Sequence, residues 1–143
     1  MYNKLYEVIM GVDFKQAEQI FMKMSSEEQR EIMEKLAYDT ESMIVYAFVQ
    51  YINTKNESII LHEIEFDMLT NALCHIEGAY QIALFHNQRL IELVPDSVKY
   101  LEWMLSFYDV KVINKEKALE IANKILKMDS DNMIGKDILD RLD

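Results

Sequence analysis

The sequence predicts an all-α fold of about eight or nine helices, arranged as antiparallel hairpins stacked into a solenoid or bundle. Three observations carry this expectation. Glycine and proline are scarce, three and one in 143 residues, which leaves little material for β-turns and favours helices joined by short links. Apolar residues recur at helical spacing along nearly the whole chain. Finally, two stretches 35 residues apart echo one another, Ala83-x3-Asn87-x2-Leu90-Ile91-x3-Pro95 and Ala118-x3-Ala122-x2-Ile125-Leu126-x3-Ser130. Periods of this size signal stacked hairpins, which together bury a face that one alone cannot.

Taken in order, Asp13 is placed to cap a helix with Ala17, Ile20, Phe21 and Met24 on one face. Ser25 and Ser26, followed by Glu28 and Gln29, form overlapping capping-box signals. They open a helix over 26–38 that turns Ile32, Met33, Leu36 and Tyr38 inward and Glu27, Glu28, Glu31 and Glu34 outward. Asp39 and Thr40 restart the chain into 41–53, where Ile44, Val45, Phe48, Tyr51 and Ile52 keep the period. Asn56 begins a helix to Leu73, with Ile60, Leu61, Ile64, Met68, Leu69 and Ala72 inward. A bend at 74–77 leads into 78–94, built on Ala79, Ile82, Ala83, His86, Leu90 and Leu93 and stopped by Pro95.

Asp96 or Ser97 caps 98–109, whose Tyr100, Leu101, Trp103, Met104, Leu105, Phe107 and Tyr108 cover most of its circumference. Such a helix is expected between neighbours. Asn114 caps 115–128, and Asp129 or Ser130 caps a last helix over 131–142. Lys136, Asp137, Asp140 and Arg141 give that helix a polar outer face suited to closing an open stack. No linker interrupts the pattern. Residues 1–143 read as one all-helical domain, with N-terminal helices in 1–55 and repeat hairpins with a capping helix in 56–143.

A net charge of −10 argues against nucleic acid and anionic membrane as partners and favours a basic protein. The same charge also serves solubility. The single cysteine, Cys74, permits no internal disulfide and suits a reducing compartment; its apolar surroundings read as a buried structural thiol. Met1–Gly11 lacks the apolar run of a signal peptide, and no stretch approaches membrane-spanning length. A cytoplasmic protein is expected. The sequon Asn56-Glu57-Ser58 therefore reads as a helix cap.

No motif announces catalysis. His62, His75 and His86 are the only histidines. His75 and His86 are about three helical turns apart but lack the supporting carboxylate spacing of a metal site. Cys74 and His75 are adjacent, so on a helix they point about 100° apart. Asp129-x-Asp131 lacks the ligand and glycine positions of a calcium loop. No cofactor and no metal are expected.

The functional candidate is instead a surface. Lys99, Glu102, Ser106 and Asp109 step by three and four along an otherwise apolar helix, and Glu63, Asp67 and Thr70 form a corresponding stripe one repeat earlier. Glu27, Glu31 and Glu34 extend the acidic strip. An ordinary solvated helix face explains the same residues without a partner.

From residue 57 onward the pattern resembles tetratricopeptide repeats. Ala83 and Ala118 fit the small position of helix B, and Pro95 fits the exit proline. Trp103, Met104, Leu105 and Tyr108 approximate the helix A signature. Asn87 and Ala122 stand where the family has an aromatic or apolar residue, Leu90 and Ile125 are larger than its alanine, and Ser130 replaces the second proline. In the first half, only Ala17, Phe21 and Met24 match. The resemblance implies a right-handed solenoid with a concave ligand face lined by the first helix of each pair, where both polar stripes would fall. His75-Ile76-Glu77-Gly78-Ala79-Tyr80, His86, the Trp103–Tyr108 helix and Ala118–Leu126 also look like small acidic helical proteins of Gram-positive bacteria, some of which resemble toxin-immunity proteins.

These readings give a non-enzymatic module that binds a protein or peptide through an acidic groove, in its sharpest form an immunity-type inhibitor of a basic toxin. The alternatives are a scaffold or peptide-sensing regulator and, from another class, a small helical enzyme or metal-binding bundle using the histidines. Either a monomer or a homodimer fits, the latter if Tyr38, Tyr46 and Tyr80 are exposed.

Overall fold

A computed structural model describes residues 1–142. They form nine α-helices, with no strand among the described residues. The helices are α1 (Tyr2–Met10), α2 (Phe14–Phe21), α3 (Ser26–Thr40), α4 (Met43–Lys55), α5 (Ile59–Thr70), α6 (Ala79–Leu93), α7 (Val98–Asp109), α8 (Lys115–Met128) and α9 (Met133–Leu142). The all-α expectation holds. Sequence patterning did not delimit α1, although it buries Leu5, Val8 and Ile9.

Caps account for most boundaries. Asp13 accepts from the Gln16 amide, Ser97 from Tyr100 and Asn114 from Lys117. Ser25 and Glu28 complete a reciprocal capping box. Two expected caps are displaced. Ser58, not Asn56, accepts the Leu61 amide, so α5 starts at Ile59. Asn132, rather than Asp129 or Ser130, accepts the Gly135 amide ahead of α9. Gly78 takes positive φ in the turn before α6, and the non-glycine residues Val12, Glu41 and Lys111 do so after a helix, a region that a β-branched residue such as Val12 enters at a cost.

The chain divides into two compact units, Met1–Ala79 and Tyr80–Asp143. The expected subdivision at 55/56 falls inside the first, which includes α5. In that unit α4 is the hub, packing against α1, α2, α3 and α5. Its Val45, Phe48, Val49 and Ile52 are buried, and Phe48 meets Phe21 edge-on at 5.5 Å between ring centroids. The Tyr2 hydroxyl of α1 donates to Asp39 near the end of α3. Burial first, and Asp39 second, push its pKa up to about 12.

A polar network fixes α5 on α4. Glu65 is fully buried, and Asn53 Nδ2 of α4 donates to its Oε1 at 2.7 Å. The Tyr46 hydroxyl, also on α4, hydrogen-bonds the same carboxylate. Asn53 Oδ1 accepts the Ser58 amide at 3.0 Å, so one side chain ties the α4–α5 link, the cap of α5 and the buried acid together. Burial pushes the Tyr46 hydroxyl pKa upward, and the Glu65 charge and hydrogen bond add to that.

In the second unit α8 packs against both α7 and α9. The echoing positions Ala83, Asn87, Leu90, Ala118, Ala122 and Ile125 are all buried. Asn87 is tolerated there because its Nδ2 donates to the Tyr100 carbonyl at 3.0 Å. Ile82 and Leu93, expected inward, are exposed: the buried face of α6 is rotated onto Ala83, His86, Asn87 and Leu90. Helix α9 approaches α8 closely at Gly135, where an added Cβ would lie 3.1 Å from Leu126 Cγ.

Two outcomes follow from the Glu65 network. Asn53→Ala removes a donor from a buried carboxylate and an acceptor from the α5 cap, and should cost about 2–3 kcal/mol in urea unfolding; a change below about 0.5 kcal/mol would show that the network contributes nothing. The raised Tyr46 pKa means that the unfolded chain loses this proton first. Its contribution is therefore intact below the unfolded value of 10.0 and is lost as pH rises further. Tyr46→Phe should flatten the alkaline fall in stability, as followed by circular dichroism.

Candidate functional site

The α3/α5 pair carries the site. On α3, Arg30, Glu34 and Tyr38 are spaced by four and so form one ridge. Ile64, Asp67 and Met68 of α5 face it, with Asn71 and Ala72 just beyond the C-terminal end of that helix. Together with Ala37 these residues line a cleft of about 290 Å³. Its floor is apolar (Ala37, Ile64, Met68, Ala72) and its rim is polar (Arg30, Glu34, Tyr38, Asp67, Asn71).

Arg30 Nη2 donates to Glu63 Oε1 at 2.5 Å across the two helices. Glu63 is only 5% exposed. It was expected in an open stripe, but its carboxylate is turned into the α3/α5 contact, where the guanidinium offsets the cost of burying it. Asp67 is exposed and Thr70 half-buried. Thr70 Oγ1 donates back to the Phe66 carbonyl at 2.9 Å, and Asn71 Nδ2 donates to the Asp67 carbonyl at 2.9 Å. Both bonds hold the C-terminal turn of α5. Glu34 is exposed on the facing wall, as are Glu27 and Glu31 further along α3. Glu28 serves the cap of α3: hydrogen bonds with Ser25, the backbone one first, hold its carboxyl below the usual range. Tyr38, expected inward, is 54% exposed and stands at the mouth of the cleft.

The residues of the second stripe make contacts within their own unit. Lys99 Nζ lies 4.8 Å from the Tyr100 ring centroid and 5.4 Å from that of Trp103. Glu102 accepts from Asn132 Nδ2 at 3.0 Å, and Ser106 Oγ donates to the Trp103 carbonyl at 2.6 Å. Asp109 accepts from Arg141 Nη2 at 2.8 Å, and this pairing raises the Arg141 pKa. Glu102 and Asp109 thus fasten α9 to α7.

His62 Nε2 lies 2.7 Å from Glu57 Oε2, with the ring buried. His86 is buried on α6. His75 is exposed and lies before α6 begins, so no continuous helix carries it with His86. Cys74 is a free, half-buried thiol.

No protein-family model, curated protein or solved structure matches the chain. Fold and site therefore define it by class, as an all-helical protein with an acid-rimmed cleft between two helices. No helix among the described residues is long and apolar enough to cross a membrane.

Of the residues singled out from sequence, the structure gathers Asp67 and Glu34 at the cleft, places Glu63 beneath its edge, and assigns Glu102 and Asp109 to the α7–α9 contact. Sequence reasoning missed Arg30, Tyr38 and Asn71 as lining residues. The four-residue spacing of Arg30, Glu34 and Tyr38 was the available signal. Arg30→Ala leaves the Glu63 carboxylate without this donor and should destabilise the protein by about 1–2 kcal/mol, discounted because Arg30 is part-exposed. Thermal unfolding with no shift in midpoint would show that the pair is dispensable.

Proposed function

We propose that the protein is a non-enzymatic interaction module of the cytoplasm that holds a basic protein or peptide in the α3/α5 cleft. The observation that carries this reading is the convergence of Glu34 and Asp67, from two helices, above an apolar floor. A partner that fills the cleft gains hydrophobic burial, while the rim acids select for positive charge. The net charge of −10 adds long-range steering toward the same class of partner. In its sharpest form the module is an immunity-type inhibitor, with its carboxylates occupying the basic substrate surface of a toxin.

A second reading, a tetratricopeptide-like scaffold or peptide-sensing regulator, is supported by the burial of the echoing positions Ala83, Leu90, Ala118, Ala122 and Ile125. That burial is what packing between repeats requires.

Affinity capture from native lysate, with mass spectrometry, should recover a basic protein with wild type and lose it with the double variant Glu34→Lys/Asp67→Lys. The interaction should weaken as ionic strength rises. Equal recovery by a folded double variant would remove the cleft from the function. Charge reversal at Glu102 and Asp109 is a poorer test, because it also loosens α9.

A further inference from the structure

We propose that the exposed apolar ridge of α6 is the contact face of a symmetric homodimer, in which α6 of one copy packs antiparallel against α6 of a second. The ridge is separate from the α3/α5 cleft, and the proposal does not depend on what the cleft binds.

Ile82, Phe85 and Leu93 are 37%, 51% and 37% exposed. At about 100° per residue they fall within an arc of about 80°, and at about 1.5 Å per residue they run about 16 Å along the axis. The buried face of α6 is made by Ala83, His86, Asn87 and Leu90, so the ridge is a second apolar face on the same helix. Single exposed apolar residues are ordinary, whereas an aligned set marks a contact surface.

Charge selects the occupant. The chain carries a net charge of −10, so a second copy is repelled wherever acids meet acids. The ridge of α6 avoids this. The fixed charges of the helix are Arg89 and Glu92, and they compensate each other at 2.9 Å between Nη1 and Oε2. Other exposed apolar residues have acids close by in the chain. Tyr6 precedes Glu7, Tyr38 lies between Glu34 and Glu41, and Met133 and Ile134 lie between Asp131 and Asp137. A two-fold contact at any of these would set such acids against their own copies. A basic partner gains no electrostatic attraction from a neutral ridge. A second copy of this chain gains relief from repulsion.

An isologous contact also needs a self-complementary pattern. Antiparallel pairing about the middle of the ridge sets Ile82 against the partner's Leu93 and Leu93 against the partner's Ile82, with the Phe85 rings between these pairs. One helix face covers less area than the roughly 800 Å² a side of a standard stable interface, so the dimer is weak and forms in the upper micromolar range. Salt gives it a signature. Screening weakens repulsion between two acidic copies, so the dimer tightens as ionic strength rises, opposite in sign to a basic partner held in an acidic cleft.

The test is sedimentation velocity on the full chain from micromolar to millimolar concentration, at low and high salt. Wild type should shift from monomer toward dimer with concentration, and further at high salt. Phe85→Glu sets like charges face to face and should raise the dissociation constant at least about tenfold, while Tyr6→Glu, an equivalent change at another exposed aromatic, should leave it unchanged. Circular dichroism checks that each variant is folded. Ile82→Lys and Leu93→Glu should each weaken self-association, and mixing the two should restore it, because the antiparallel pairing brings the lysine of one to the glutamate of the other. That pair also replaces Phe85→Glu should that variant fail to fold.

A wild-type chain that stays monomeric at millimolar concentration and high salt would overturn the dimer and leave the ridge to a different partner. Self-association that survives Phe85→Glu but is lost with Tyr6→Glu would move the contact off α6. No recovery on mixing would overturn the antiparallel pairing, and a dimer that weakens with salt would overturn the neutral-face argument.

Discussion

A fully buried carboxylate constrains the first unit. Glu65 cannot be left without donors in an apolar interior, and Asn53 and Tyr46 of α4 supply them. Since α4 already contacts α1, α2 and α3, this fixes α5 to the one helix that organises the unit. Apolar packing alone tolerates some sliding of one helix on another. A hydrogen bond of 2.7 Å to a buried acid does not, because slipping by a turn would strand the charge.

Once α5 is held, its other faces have fixed duties. Glu63 is delivered to Arg30 of α3, while Asp67 and Asn71 come out at the cleft. The three acids at 63, 65 and 67 are thus used in three ways: one in a cross-helix ion pair, one in a buried network and one at the rim. Successive helix positions point about 100° apart, so acids two apart cannot share a face. The cleft is a by-product of the same register that satisfies Glu65, which links stability of the unit to the proposed binding surface.

Much of the fold was legible because helices announce themselves locally. Asp13, Ser25, Ser97 and Asn114 cap where their side chains and the following apolar period place them. The missed details have local causes. At 129–132, acids, a serine and an asparagine follow in a row and each is a competent cap, so sequence alone does not choose Asn132. Helix α1 ends at Met10 with Gly11 as its C-cap, and the left-handed residue of the turn is the β-branched Val12 that follows. The acids of α5 looked like a solvated stripe, yet α5 is apolar nearly all round, with Ile59, Ile60, Leu61, Ile64, Phe66, Met68 and Leu69. A helix of that kind is usually buried, and its acids are then buried with it. At the site, Asp67 and Glu34 were within reach of pattern reading. The pairing of α3 with α5 was not, because it joins segments that are distant in sequence.

The central claim is that the Glu65 network sets the position of α5. Amide hydrogen exchange on Glu65→Leu tests it most directly, since that change strands the Asn53 and Tyr46 donors while keeping an apolar side chain in place. The account predicts faster exchange throughout Ile59–Thr70, together with the facing residues of α3. Unchanged protection across α5, in a variant that is otherwise folded, would contradict it.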